Sequence, residues 1–316
     1  MSSLRIIGDI GGTNARFAVA ENGKYGELSH VEVSKYASLH DALTDYLDGL
    51  PGTERPAAAA LAVAGPVLGD VVALTNLSWR FSISELKTSL TLSRLRVIND
   101  FTAAAMSVPY LPKQDLFTVG PQCSDAVGTI GIIGPGTGLG VGGLLPNAGQ
   151  WLPWAGEGGH VTMPSLTPEE DAILGVLRKR WNHVSAERVL SGAGLVNLYE
   201  ALCVVGGLAP RPMSPADITE HAIRGTDPIC VKAFQHFCAM LGTVAGDLAL
   251  TLGATGGIYV AGGILLRFKE AFAASGFRER FESKGRLSSF VAKIPTRLIL
   301  EESPALLGLA NMALES

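Results

Sequence analysis

The sequence predicts an α/β protein built from two domains. Three features carry that reading. Apolar segments alternate between strand-like and helix-like spacing, the chain is 316 residues long, and two short glycine-tipped hairpins lie roughly one domain apart.

The elements follow in order. Residues 4–7 and 15–20 are short apolar runs on either side of Gly8-Asp9-Ile10-Gly11-Gly12-Thr13-Asn14, a β-hairpin with a glycine-rich loop. A third strand is expected at 30–36. Ser38 with Asp41 starts a helix that ends near Leu50, ahead of Pro51. Residues 57–64 are small and apolar, a buried strand stopped by Gly65-Pro66. Ser82 and Glu85 form another capping box, for a helix to about Leu90. Residues 95–98 are a short buried strand that delivers Asn99 and Asp100 at its C-terminal end, and 101–107 reads as helix.

Residues 111–124 read as irregular, with Pro109, Pro112 and Pro121 in or beside them, and the domain boundary is placed there. A second hairpin spans 129–133 and 139–145. Thr167-Pro168-Glu169-Glu170 is a helix start, with a cap residue, proline at the first helical position and acids in the first turn. Between 227 and 252, Phe234, Phe237, Met240, Leu241, Val244, Leu248 and Leu252 recur at three- and four-residue spacing, a long helix that Gly253 ends. Residues 257–261 form a buried strand meeting Gly262-Gly263. Ser303-Pro304 opens a last helix running to the C-terminus.

Composition excludes several classes. Charged residues are 17% and hydrophobic residues 47%, too apolar for a disordered chain. Net charge is 25 − 29 = −4 with no basic run, so neither nucleic acid nor an anionic membrane is an expected partner. Cys123, Cys203, Cys230 and Cys238 lie far apart without a C-x-x-C pair and read as buried small apolar residues. No charged leader and no apolar run of signal-peptide length precedes Gly8, so no signal peptide is expected. The uncharged stretch from Ala126 towards Trp154 is broken by glycines and Pro135 and reads as strand, turn, strand, not as a membrane helix. A soluble cytoplasmic protein is the expectation.

The 38 glycines are clustered, which marks loops where backbone approaches a ligand. Ile10-Gly11-Gly12-Thr13-Asn14 and Gly134-Pro135-Gly136-Thr137-Gly138 each place Gly-Thr at a hairpin tip, the mark of a duplicated unit. Such loops can be plain tight turns. They can also aim several N–H groups at anionic oxygens without a lysine, with Asp9 holding a hydrated Mg²⁺. The pair, together with Gly262-Gly263, favours nucleotide phosphates. Rival motifs fail: there is no G-x-x-x-x-G-K-[ST], and the G-x-G-x-x-G spelling at 138–143 runs into Pro146 and Asn147 where a dinucleotide fold needs a helix.

Asn99-Asp100 is either a helix cap or a hydroxyl-orienting amide beside a proton-accepting carboxylate. Glu157-Gly158-Gly159-His160 is a polar turn, a metal pair or a ligand loop; no HExxH helix surrounds it, which argues against zinc. Glu187 can be a solvated helix residue. Together these side chains offer the donors and acceptors that a polyhydroxylated ligand needs.

These motifs resemble the bacterial glucokinase family, within the hexokinase, actin and heat-shock-chaperone ATPase superfold. The resemblance covers essentially the whole chain. It rests on residues 8–16, 98–103, 134–140, 156–160, Ser185-Ala186-Glu187-Arg188-Val189-Leu190-Ser191-Gly192 and Ala261-Gly262-Gly263-Ile264. It implies a two-domain actin-like ATPase (ribonuclease H-like) architecture with a cleft between the domains. The smaller domain would hold 2–110 plus 301–316, the larger 111–300. It implies ATP-dependent phosphorylation of glucose to glucose 6-phosphate, with Asp100 as the base for the C6 hydroxyl. Asn99, Asp100, Glu157, His160 and Glu187 would bind the sugar. Gly8, Asp9, Ile10, Gly11, Gly12 and Thr13 would form one phosphate loop, Gly136, Thr137 and Gly138 the other, and Gly262 and Gly263 would contact adenosine. ATP and Mg²⁺ are the implied cofactors, and a homodimer is the implied assembly. ROK-branch kinases carry a cysteine-rich zinc motif after the sugar-binding histidine; 161–174 has no cysteine, so no zinc is expected. Alternatives are a kinase for another hexose or amino sugar, or a non-catalytic sugar sensor or actin-like assembly protein. The intact Asp100 argues against the sensor.

Overall fold

The computed structural model describes residues 4–51, 55–74, 79–123 and 127–314. Ser124 and Ala126, where two of the segments above end or begin, lie outside the described residues, as do the terminal residues 2–3 and 315–316. The chain divides into two compact units, Met1–Leu111 with Ser303–Ser316, and Pro112–Glu302. Each has its own hydrophobic core.

The first unit runs β1 (Arg5–Ile10), β2 (Asn14–Glu21), β3 (Lys24–Tyr25), β4 (Ser29–Glu32), α1 (Leu39–Asp48), β5 (Ala58–Val63), β6 (Val71–Ala73), β7 (Arg80–Ser82), α2 (Ile83–Ser89), β8 (Arg94–Asn99) and α3 (Asp100–Ser107). Its sheet has the order β3-β2-β1-β5-β8, with β4 also on β2. β1 and β2 are an antiparallel hairpin, while β1, β5 and β8 run parallel. Parallel alignment of β5 with neighbours on both sides explains its unbroken apolar sequence. Ser38 and Ser82 cap α1 and α2 by accepting from the Asp41 and Glu85 N–H groups. Ser82 also donates to Asp70, so its cap is held from a second direction.

Two expectations need correction here. Gly8, Asp9 and Ile10 are not loop residues. They are the last half of β1, and the hairpin tip shrinks to residues 11–13. A Cβ at Gly8 would stand 2.8 Å from the Phe17 ring and 2.9 Å from Leu61, so this glycine serves sheet packing. The strand expected at 30–36 is β4, which stops at Glu32, and Val33–Lys35 turns as a 3₁₀ helix instead of continuing extended.

The second unit runs β9 (Leu116–Thr118), β10 (Ile130–Pro135), β11 (Leu139–Asn147), β12 (Gln150–Ala155), α4 (Pro168–Leu177), α5 (Gly192–Val205), α6 (Pro215–Arg224), α7 (Pro228–Leu252), β13 (Gly257–Val260), α8 (Gly263–Leu266), α9 (Lys269–Ala273), α10 (Phe277–Glu282), α11 (Ser288–Val291) and β14 (Thr296–Ile299). The sheet order is β12-β11-β10-β13-β14-β9. The segment read as irregular therefore contains an edge strand, β9, antiparallel to β14. β10 and β11 are an antiparallel hairpin and β10 pairs in parallel with β13. That is the same arrangement as β1, β2 and β5, so the two hairpins are equivalent pieces of two related sheets. α7, capped by Asp227 and ended by a left-handed Gly253, buries Phe237, Met240 and Leu241. It is the one described helix long and apolar enough to cross a membrane, and 67% of its most apolar window is buried inside the protein. Cys203, Cys230 and Cys238 are buried as expected, but Cys123 is half-exposed. Burial pushes the Cys238 thiol up to about 12 and is the main cause that takes Cys230 to about 11, so neither is a reactive thiolate.

The chain then returns to the first unit as α12 (Pro304–Asn311), which stops at Asn311, short of the expected C-terminal run. α12 packs along α3, the helix that begins with Asp100. The approach is so close that a Cβ on Gly308 would overlap the Ala103 carbonyl. Gly308→Val is expected to force the two helices apart and lower stability by about 1–3 kcal/mol, measured by urea unfolding. Unchanged stability would show that α12 can shift without cost.

Candidate active site

In the first unit the parallel strands bring three segments to one sheet edge. These are the 11–13 tip after β1, Gly65-Pro66 after β5, and Asn99-Asp100 after β8. The carboxyl ends of parallel strands are where ligands gather in open α/β sheets, because helix N-termini and loops converge there. Gly12 and Thr13 are exposed at the tip, while the Gly11 N–H turns back onto the Asn14 carbonyl at 3.0 Å.

Asp9 pairs across the hairpin with Arg16, at 3.3 Å, and Arg16 also donates to the Ser303 hydroxyl at 2.8 Å. Burial pushes the Asp9 carboxyl up from its ordinary range, and the Arg16 charge opposes that. Among the described residues no group of three or more His, Cys, Asp and Glu could hold a metal ion.

Asn99 is the cap of α3, so the bland reading of this residue is correct in part. Its Oδ1 accepts from the Phe101 and Thr102 N–H groups at 2.9 and 3.1 Å, and its Nδ2 donates to the Gly65 carbonyl at 3.2 Å. Both acceptor lone pairs are used, which leaves one amide hydrogen for a ligand. Asp100 follows as the first residue of α3, its Oδ1 accepting from the Phe101 N–H at 2.8 Å. The rigid cap therefore fixes the backbone from which the carboxylate projects. Gly65 was not among the sequence candidates. Its signal was a Gly-Pro pair directly after a fully buried strand.

In the second unit the remaining candidates gather around the end of the β10–β11 hairpin. Its tip, 136–138, is closed by the Gly136 N–H donating to the Gly138 carbonyl at 2.8 Å. The Gly192 N–H, at the start of α5, donates to the Gly136 carbonyl at 2.9 Å. Gly262 lies against the Pro135 carbonyl, which puts the Gly262-Gly263 turn at the base of this loop. Glu157 precedes a 3₁₀ turn, Gly158–His160, whose glycines pack on Val141 and Leu139 of β11. Glu157 and His160 are exposed, and their side chains make no hydrogen bond or ion pair among the described residues.

Glu187 is not a solvated helix residue. It sits in a 3₁₀ turn, Ala186–Arg188, tied to the His160 segment by the Ala186 N–H donating to the Val161 carbonyl at 2.8 Å. Its Oε2 accepts the Leu139 N–H at 2.9 Å. Sequence reasoning missed this link between the Glu187 turn and the second glycine loop, which spans 48 residues of chain.

Two equivalent hairpin-led sheets, each with a glycine-tipped loop, define an actin-like ATPase fold, and the relatives of this chain make it that of a sugar kinase. The chain belongs to the glucokinase family, whose model matches residues 6–316. It is 66% identical over 315 residues to a glucokinase of Nitrobacter hamburgensis, covering 100% of this chain and 98% of that protein. A glucokinase of Pectobacterium atrosepticum is 45% identical, over 98% of this chain and 96% of its own length. Among solved structures, a glucokinase from an Antarctic psychrotroph superposes with a TM-score of 0.89 at 36% identity, covering 98% of each chain. A ROK family glucokinase from Streptomyces griseus, solved in complex with glucose and AMPPNP, shares the fold with a TM-score of 0.64 at 22% identity, over 98% of this chain and 99% of that one.

Proposed function

We propose that the protein transfers the γ-phosphoryl group of ATP to the C6 hydroxyl of glucose. The observation that carries this reading is the full-length relation to the Nitrobacter glucokinase, which spans every candidate residue. Asp100 takes the proton from the hydroxyl as it attacks. Asn99, with one amide hydrogen left over, donates to the sugar and cannot accept from it. Glu157, His160 and Glu187 bind further hydroxyls. The tips at 11–13 and 136–138 hold the phosphates through backbone N–H groups, with Gly262-Gly263 against the adenosine. Phosphoryl transfer asks mainly for alignment, charge stabilisation and exclusion of water. Mg²⁺, when bound, would neutralise phosphate charge. Asp9 is a single carboxylate already paired with Arg16, which suits a contact through water to an ion carried by the nucleotide. A cytoplasmic homodimer is part of the same proposal.

A coupled assay with purified protein, ATP, Mg²⁺ and a panel of hexoses tests the reading. Glucose should be the preferred acceptor, and preference for an amino sugar would replace it with the alternative kinase. Changing Glu157 or His160 to Ala should raise KM for glucose by about 5- to 150-fold, because a buried sugar hydroxyl left unpaired costs about 1–3 kcal/mol. Unchanged KM in both variants would move the sugar site elsewhere.

A further inference from the structure

The second glycine loop offers three successive N–H groups, and they are not in the same state. Those of Thr137 and Gly138 have no hydrogen-bond partner among the described residues, while that of Leu139 is occupied by Glu187 Oε2 at 2.9 Å. The carboxylate also lies directly over Gly138, where a Cβ would overlap Oε2. A loop suited to phosphate oxygens therefore has an anionic group seated on its own donors. An intramolecular carboxylate there competes with a phosphate for the Leu139 N–H and repels it by charge. The other carboxylate oxygen makes no hydrogen bond among the described residues.

We propose that Glu187 is a gate on the 136–138 phosphate loop, released by the sugar. This rests on the glucose-kinase reading above and adds a role to one of its residues. Without sugar, the carboxylate caps the Leu139 N–H and disfavours nucleotide. When sugar hydroxyls donate to the carboxylate, they draw it off the loop and spread its charge. The Leu139 N–H then joins those of Thr137 and Gly138 in facing the phosphates. Sugar thereby strengthens nucleotide binding, and nucleotide strengthens sugar binding by the same factor. The arrangement also holds ATP off the loop until an acceptor other than water is present. Loss of a merely structural contact would weaken nucleotide binding. Loss of a gate strengthens it.

Calorimetry with Mg²⁺ and AMPPNP, with and without glucose, decides between them. In the wild-type protein glucose should tighten AMPPNP binding by about 5-fold or more. Glu187→Ala, which removes charge and acceptor, should bind AMPPNP about 5-fold tighter than wild type without glucose, and glucose should then add no more than about twofold. Glu187→Gln keeps an acceptor for the Leu139 N–H but loses the charge, and should fall between the two. Equal or weaker sugar-free binding in folded variants overturns the gate. Should the variants not fold, the Leu139 amide resonance of the wild type serves instead. Glucose alone should shift it as the carboxylate bond is lost, and an unmoved resonance in glucose-saturated protein also overturns the proposal. A glucose titration in the same calorimeter separates the two readings, since absence of any glucose binding refutes the kinase assignment and not the gate alone.

Discussion

Asp100→Asn is expected to lower kcat by about 10²- to 10⁴-fold while leaving glucose affinity nearly unchanged. The amide has the size of the carboxylate and still offers an oxygen to the Phe101 N–H, the contact that Asp100 Oδ1 makes now. Asn99 goes on capping α3 through Phe101 and Thr102, so the backbone that presents residue 100 stays in place. On the proposed mechanism, what is lost is the ability to accept the proton of the attacking hydroxyl, a step made only on the way to the transition state. Such a loss appears in kcat and not in ground-state binding. The measurement is steady-state kinetics beside glucose calorimetry on the same preparation. A variant that retains more than about a tenth of wild-type kcat would place the base elsewhere.

The features that were legible in the sequence are those whose causes are local. Ser38, Ser82, Thr167 and Asp227 each cap the helix expected of them, because a side-chain oxygen two or three residues from an orphan N–H needs no tertiary partner. The glycine-tipped hairpins were legible for the same reason. β9 was not, since three residues among prolines become a strand only when β14 arrives from 180 residues away. β12 was hidden by Pro153, which an edge strand tolerates and a central one would not. The helix α6 has a complete Ser214/Asp217 capping box and a left-handed Gly225, signals that were present and passed over. Gly8 read as a loop glycine because its motif is a loop motif; only the packing of Phe17 and Leu61 places it in the sheet.

The candidate site divides in the same way. Residue types suggested a chemistry, but the hydrogen bonds these side chains make depend on distant partners. The Asn99 amide is half consumed by Gly65, and Glu187 rests on Leu139; neither pairing has a sequence signature. Spacing could suggest that a carboxylate binds a ligand. It could not say that the carboxylate also occupies a donor of the neighbouring loop.

Glu170→Gln carries the largest expected loss of stability, and it acts on the support of the segment that follows His160. Thr167-Pro168-Glu169-Glu170 looked like an ordinary acidic first turn, yet Glu170 is buried, with 1% of its surface exposed. Arg280 of α10 grips both its oxygens, at 2.7 and 3.1 Å, and the Leu166 N–H donates to Oε2 at 2.7 Å. His236 of α7 stands 4.0 Å from the other oxygen. The pair thus ties α4, α7 and α10 to the segment leading from His160. Burial alone pushes the Glu170 carboxyl up, but the Arg280 hydrogen bonds, the Leu166 N–H and the Arg280 and His236 charges outweigh it and hold the group below its ordinary value. A folded-state value below the unfolded one means stability that is present above the ordinary Glu value of about 4.3 and lost as pH falls through the folded value. Glutamine keeps the shape and leaves Arg280 as an uncompensated buried charge, which typically costs about 3–5 kcal/mol. Three of the four tryptophans, Trp151, Trp154 and Trp181, lie in the second unit, so fluorescence reports on the affected unit. Urea unfolding at pH 7 should show that loss in full, and the gap between wild type and variant should narrow once the pH drops below about 4.3. A gap that stays constant on acidification would mean that the loss does not come from the charge of the Glu170 carboxylate.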